Sequence, residues 1–338
     1  MPLLSILRRS ALLVLALLLS GCNMVVLNPS GDVAAQQGRL VVISTLLMLL
    51  IIVPVIALIF LFAWRYRQSN TEATYKPDWD HSTQLELVIW AAPLLIIIAL
   101  GALTWISTHT LDPYRALRRV DAQRLVERET RPLVVQAIAL DWKWLFIYPE
   151  QGIAVVNELA APVDRPISFK ITSHSVMNSL YVPALAGMIY AMPGMETSLH
   201  AVINKAGVYQ GFSANYSGAG FSDMHFKFHG LDNAGFDRWV ESAKGAGGAL
   251  NRAAYLELRQ PSERDPVRRF KSVAPDLWEA IVNRCVEAGA KCLHQQMADD
   301  ARRQWIAARP EKAVVAGGGV CTVDDPLGTG LGRAFARD

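Results

Sequence analysis

The stretch Gly207–His229, GVYQGFSANYSGAGFSDMHFKFH, decides how the chain is read. Val208 to Phe212 is a short apolar run rich in β-formers. A polar loop follows, punctuated by Gly218 and Gly220. Met224, Phe226 and Phe228 then alternate with polar residues, the period of a strand with one face buried. The stretch predicts a strand, a loop and a second strand.

The same texture runs back to Leu133. Leu133–Ile147 is dense in Val, Ile, Leu and Trp, and Ala154–Leu159, Pro166–Thr172 and Glu196–Ile203 are further short β-rich runs broken by Pro, Gly and Asn. Many short strands at close spacing predict an antiparallel sandwich. After Gly230 the pattern turns helical. Phe236–Ala243 is short, and Ala274–Ala288 is amphipathic, with Gly289 as its C-terminal cap. The four cysteines are Cys22, Cys285, Cys292 and Cys321, and none forms a C-x-x-C unit. In one continuous helix Cys285 and Cys292 would lie about 10 Å apart, too far for a bridge. A disulfide between them requires the helix to stop, and Cys321 is a competing partner.

The N-terminal third has a different character. The chain is 52% hydrophobic and 19% charged, a balance that points to membrane segments. Leu40–Trp64 carries no charge and closes on Trp64-Arg65-Tyr66-Arg67, an aromatic and basic end suited to the cytoplasmic interface. A second apolar run, Leu85–Ser107, completes a helical hairpin. Glu86 sits at its cytoplasmic start, where an ionisable group is a functional candidate. Before the hairpin, Arg8 and Arg9, the apolar Ala11–Leu19 and then Leu19-Ser-Gly-Cys22 form a bacterial lipoprotein signal, with Cys22 as the acylated residue. With Cys22 outside, everything after Thr108 is outside too. Arg115, Arg118 and Arg119 then follow the second span on the outer side, against the usual positive-inside bias. A net charge of +3 on 338 residues gives no case for nucleic acid.

In combination and order, these tracts resemble subunit II of the haem–copper respiratory oxidases. The tracts are Gln84-Leu-Glu-Leu-Val-Ile-Trp-Ala-Ala-Pro93, Asp141-Trp-Lys-Trp-Leu-Phe-Ile-Tyr-Pro149, Met177-Asn-Ser-Leu-Tyr-Val-Pro183 and Ile189-Tyr-Ala-Met-Pro-Gly194. That family's loop, C-x-E-x-C-x-x-x-H-x-x-M, holds a two-copper centre. Here it falls on Ser213, Asn215, Ser217, Phe221 and Met224, and the remaining family histidine falls on Asn178. Only Met224 keeps a ligand type. Copper of this kind needs thiolates and imidazoles. The loss points to the quinol-oxidising, cytochrome bo-type branch.

The resemblance implies a fold: two transmembrane helices, an all-β cupredoxin-like sandwich and a small helical extension. The domains expected are 1–21 signal, 22–39 outer segment, 40–110 hairpin, 111–230 sandwich, 231–310 helical extension and 311–338 Gly-rich tail. It also implies a role: a non-redox subunit of a proton-pumping complex that oxidises ubiquinol and reduces oxygen to water. No catalytic residue and no metal are expected in this chain, only lipid on Cys22. Haems and copper belong to subunit I, and subunits III and IV complete the complex. The location implied is the bacterial inner membrane, with the C-terminal domain in the periplasm. Glu86 corresponds to a glutamate at the mouth of a proton path. Trp142 and Trp144, with no copper beneath them, are read as core packing or subunit contact. Two rivals remain, a copper-bearing cytochrome c oxidase subunit and a membrane-anchored lipoprotein that binds or assembles. Neither span supplies a haem ligand, with His81 before the second and His109 beyond it. His225 and His229, about 13 Å apart along one strand, cannot share an ion.

Overall fold

The computed structural model describes residues 24–74, 77–127 and 129–307. The expected signal, Cys22, Cys321 and the tail 311–338 lie outside the described residues. Two helices open the fold, α1 (Asp32–Arg65) and α2 (Thr83–Thr110). At 1.5 Å per residue they are about 51 and 42 Å long, more than the ~30 Å hydrocarbon core of a bilayer. Both are long and apolar enough to cross a membrane. Their flanks face outward, with Phe60 71% and Trp90 77% exposed. A surface this apolar is covered in life by lipid or a partner.

Helix α1 starts eight residues before its uncharged run, so the expected outer segment 22–39 is partly helical. Packing explains the early start. The amides of Ser30 and Gly31 donate to the Ala184 carbonyl at 3.0 and 2.8 Å. A side chain at Gly31 would strike the Leu185 and Val202 carbonyls at 2.6 Å. The Asp32 carboxylate, 5% exposed, takes two hydrogen bonds from the Arg119 guanidinium at 2.8 and 3.0 Å. The outer end of α1 is thus clamped to the β-domain. His109 lies in the last turn of α2 rather than beyond it, and its Nδ1 is 2.8 Å from the Trp105 carbonyl.

The β-domain is a sandwich of two sheets. The first comprises β1 (Leu133–Leu140), β2 (Lys143–Tyr148), β3 (Ile153–Val156), β5 (Ile167–Ser173), β8 (Thr197–Ala201) and β12 (Arg268–Phe270), in the order β12-β3-β2-β1-β5-β8. The second comprises β4 (Glu158–Pro162), β6 (Asn178–Tyr181), β7 (Ile189–Ala191), β9 (Gly207–Ser213) and β10 (His225–Leu231), in the order β4-β10-β9-β6-β7. It is mixed rather than antiparallel. β1 pairs parallel with β5, and β4 parallel with β10. Parallel neighbours need a crossover, and the chain supplies one by changing sheets at Asn157, which takes φ 56° between β3 and β4. The Asn157 side chain secures that corner by accepting from the Trp144 amide at 2.8 Å and donating to the Asp265 carbonyl at 2.9 Å.

Leu133–Ile147 reads as one apolar run because the first sheet is buried on both faces. Trp144, Phe146 and Tyr148 point into the sandwich, against Phe226, Phe228 and Phe169. Leu145 and Ile147 point the other way, with Ile138 and Leu140, onto Leu250, Tyr255, Leu258, Leu277 and Ile281. Those last residues belong to the C-terminal extension. It is not purely helical. Between α3 (Asn233–Lys244), α4 (Arg252–Leu258) and α5 (Leu277–Val282) it contributes β12 to the first sheet and pairs β11 (Ala249–Leu250) with β13 (Ser272–Val273). The expected helix Ala274–Ala288 is only α5. Arg284 turns the chain at φ 55°, and Cys285 and Cys292 come to a Cα separation of 4.8 Å and form a disulfide. Gly289, at φ 77°, lies in the bridged loop rather than capping a helix. A further helix, α6 (Leu293–Ala307), begins a separate compact unit.

One buried ion pair fastens the extension. Lys143 Nζ, on the outer face of β2, lies 3.0 Å from Asp265 Oδ2 and donates to the Gln260 carbonyl at 2.9 Å, with both side chains at most 5% exposed. Burial alone would raise the Asp265 carboxyl. Hydrogen bonds from Ser262 and Lys143, with Arg268 nearby, outweigh burial and hold it below the usual carboxylate range. Removing one member of a buried pair strands the other. Lys143→Met is expected to lower the unfolding free energy by about 3 kcal/mol in denaturant melts of the full chain in detergent. A depressed carboxyl gives stability that is complete above the unfolded value near ~4 and is lost as pH falls through the folded value. Wild-type stability should therefore drop on acidification below about pH 4, and Lys143→Met should show a smaller part of that drop.

Candidate functional site

Asn178 and the Ser213–Met224 loop, which the resemblance sets against a copper-binding pattern, lie together at one end of the second sheet. Asn178 opens β6 and Ser213 closes β9, and both side chains are buried. Ser213 Oγ donates to Asn178 Oδ1 at 3.1 Å and accepts from the Ser179 amide at 3.4 Å. Asn178 Nδ2 donates to the Val176 carbonyl at 3.2 Å. Asn215 Nδ2 reaches back to the Met177 carbonyl at 3.1 Å. Phe221, in the one-turn 3-10 segment Phe221–Asp223, packs edge-on to Tyr216 at 5.6 Å between centroids. Met224 is 1% exposed in the sandwich core, and its carbonyl accepts from the Ser213 amide at 3.2 Å.

A two-copper centre does not fit this donor set. Ser213, Asn178 and Asn215 spend their hydrogen bonds on one another and on the backbone. The Ser217 hydroxyl is buried without a partner but is a neutral alcohol and no thiolate. Phe221 has no lone pair to offer, and Met224 faces apolar neighbours. Among the described residues no three His, Cys, Asp or Glu side chains gather as a metal-holding group. His229 Nε2 lies 3.2 Å from Glu158 Oε1, and His225 Nδ1 lies 3.3 Å from Gln210 Nε2. His174 sits edge-on to Tyr255, and burial first, then Arg259, holds its imidazole below the ordinary value.

Trp142 covers the loop. Its Nε1 donates to the Ser217 carbonyl at 3.3 Å, and its ring lies over Gly218 and Gly220. A Cβ at Gly220 would meet the ring at 2.6 Å. The sequence marked both glycines only as turn residues, but their spacing under an aromatic residue is the signal of a close approach. Trp144 is fully buried core, in line with the packing reading. Glu86 is remote from all this. It lies in the first turn of α2, half exposed, with Oε1 2.8 Å from His81 Nδ1. At helical rise it is about 36 Å from the outer end of α2.

Two long apolar helices carrying a β-sandwich with a C-terminal extension are the build of an oxidase subunit II. Comparison with known proteins agrees. The family "Cytochrome C oxidase subunit II, periplasmic domain" matches residues 150–229, and "COX Aromatic Rich Motif" matches residues 244–289. The cytochrome bo(3) ubiquinol oxidase subunit 2 of Pseudomonas aeruginosa is 51% identical over 269 residues, covering 80% of this chain and 78% of its own. The ubiquinol oxidase subunit 2 of Acetobacter aceti is also 51% identical over 269 residues, covering 79% and 84%. The quinol oxidase subunit 2 of Bacillus subtilis is 38% identical over 258 residues, covering 75% and 78%. The chain belongs to the family of subunit 2 of the bo(3)-type quinol oxidases.

The ring over Gly220 gives a direct check. Gly220→Ala is expected to lift Trp142 from the loop and cost about 1–3 kcal/mol, as overpacking does. The spectrum of Trp142 alone, taken as the difference from Trp142→Phe, should shift to the red in the Gly220→Ala background. An unshifted spectrum would contradict the packing described.

Proposed function

We propose that this chain serves its quinol oxidase without carrying electrons. The hairpin packs in the membrane against subunit I, which holds the haems and the copper, and the sandwich caps its outer face in the periplasm. Subunits III and IV complete a complex that oxidises ubiquinol, reduces oxygen to water and moves protons across the bacterial inner membrane. Acylated Cys22 adds a lipid anchor beside the hairpin. The observation that carries this reading is the replacement of every thiolate and imidazole position by Ser213, Ser217, Asn178 and Phe221. Quinol is lipid-soluble, so it delivers electrons within the membrane and needs no outer copper relay.

Purification of the complex from detergent tests the reading. Haem-bearing subunits should co-purify, and oxygen uptake should follow ubiquinol and not reduced cytochrome c. A solitary protein, or uptake driven by cytochrome c, would overturn it.

In this reading Glu86, with His81, forms the mouth of a proton path on the cytoplasmic side. Glu86→Gln keeps the shape and removes the exchangeable charge. It is expected to slow quinol turnover of the assembled complex severalfold, with Glu86→Asp retaining most of it. Unchanged turnover in Glu86→Gln would leave Glu86 only its favourable place at the helix N-terminus.

A further inference from the structure

The arginines that follow the second span on the outer side are concentrated at one cavity. It has a volume of about 350 Å³ and lies where the outer ends of α1 and α2 meet the β-domain. Arg115, Arg118 and Arg119 line it, with Asp32, Asp112 and Gln36. The two carboxylates, Asp32 and Asp112, offset two of the three guanidinium charges. Asp32 receives Arg119 and, at 2.8 Å, Gln36 Nε2. Asp112 Oδ1 accepts from the Tyr114 amide at 2.9 Å. On the cationic side, Arg115 uses Nη1 on the His109 carbonyl at 2.9 Å and keeps its other N–H groups. Arg118 has no ion pair among the described residues. The cavity therefore carries excess positive charge and unused N–H donors.

Its depth identifies the occupant. Gln36 stands four residues outside the uncharged run that starts at Leu40, about 6 Å along the helix. Thr110, also in the wall, stands three residues outside the run that ends at Ser107, about 4.5 Å. The two helices agree on a level within the headgroup layer, which adds about 5–7 Å to each side of the hydrocarbon. Below it, Val42, Ile43 and Ile106 are exposed along the helix flanks, where acyl chains would lie. Guanidinium groups take phosphate oxygens in paired hydrogen bonds.

We propose that this cavity is a binding site for the phosphate of an anionic phospholipid in the outer leaflet of the membrane. Arg118 and Arg115 hold the phosphate, while the Arg119–Asp32 pair fixes the wall and ties lipid occupancy to the joint between hairpin and sandwich. The site depends on the hairpin crossing the membrane and not on what the oxidase oxidises.

The test uses the whole oxidase complex, stripped of lipid with detergent and returned to phosphatidylglycerol or phosphatidylcholine, with adducts on this subunit counted by native mass spectrometry. One phosphatidylglycerol per copy is expected to stay bound at a concentration that leaves phosphatidylcholine free. Arg118→Gln should weaken retention about tenfold, the scale of losing a charged hydrogen bond. Inorganic phosphate alone, lacking acyl chains, should not displace the lipid at equal concentration. Equal retention of the two lipids, unchanged retention in Arg118→Gln, or displacement by free phosphate would each overturn the proposal. If Arg118→Gln does not assemble, the two wild-type lipid arms still decide. Ubiquinol-driven oxygen uptake by the same wild-type preparation keeps a failure here separate from a failure of the oxidase assignment.

Discussion

Strand β2 is buried on both faces, and the rest of the domain follows from that. A strand of this kind cannot end a two-layer sandwich in water, because Leu145 and Ile147 would lie bare on the outside. The C-terminal extension supplies the missing layer. Its helices cover the outer face, β12 pairs with β3, and the Cys285–Cys292 bridge closes the segment that follows α5. Lys143 is the one charge on the strand, and it is tolerated because Asp265 and the Gln260 carbonyl meet it. The extension is therefore part of the fold. The aromatic-rich family match over residues 244–289 falls on this extension, after the sandwich match over 150–229.

The same strand also reaches the altered loop. Trp142 precedes β2 and lies on Gly218 and Gly220, and Trp144 packs edge-on to Phe226 at 6.0 Å between centroids. In a metal-bearing loop the ion would hold the chain in place. Here the Ser213–Asn178 hydrogen bond, the Asn215–Met177 contact and the Trp142 ring do so. None of these groups changes charge or oxidation state under physiological conditions. The loop is a structural corner, and the sandwich core beneath it, Met224 and Phe226 included, sets that path for the backbone.

Much of this was legible in the sequence, for physical reasons. The two spans were plain because a run such as Leu40–Trp64 has no soluble use. The absence of thiolate and imidazole from the Ser213–Met224 loop was plain because ligand chemistry is a matter of residue type. What escaped were features set by long-range partners. The start of α1 at Asp32 depends on Arg119, 87 residues away. The break of the Ala274–Ala288 pattern at Val282 depends on a turn at Arg284 and a disulfide, neither of which leaves a mark in helical periodicity. The parallel pairings follow from the change of sheet at Asn157, and local β-propensity does not distinguish parallel from antiparallel neighbours. The lid role of Trp142 needed the ring placed above two glycines some 75 residues on.

The central claim is that the side chains of this loop and of Asn178 bond to one another and to the backbone and leave no donor set for copper. Equilibrium titration of the purified full chain with copper, followed by chelation and elemental analysis, tests this most directly. The account predicts that no copper survives the chelator and that the melting temperature is the same with and without the metal. One or two ions held per chain through chelation, with a rise in melting temperature, would contradict it.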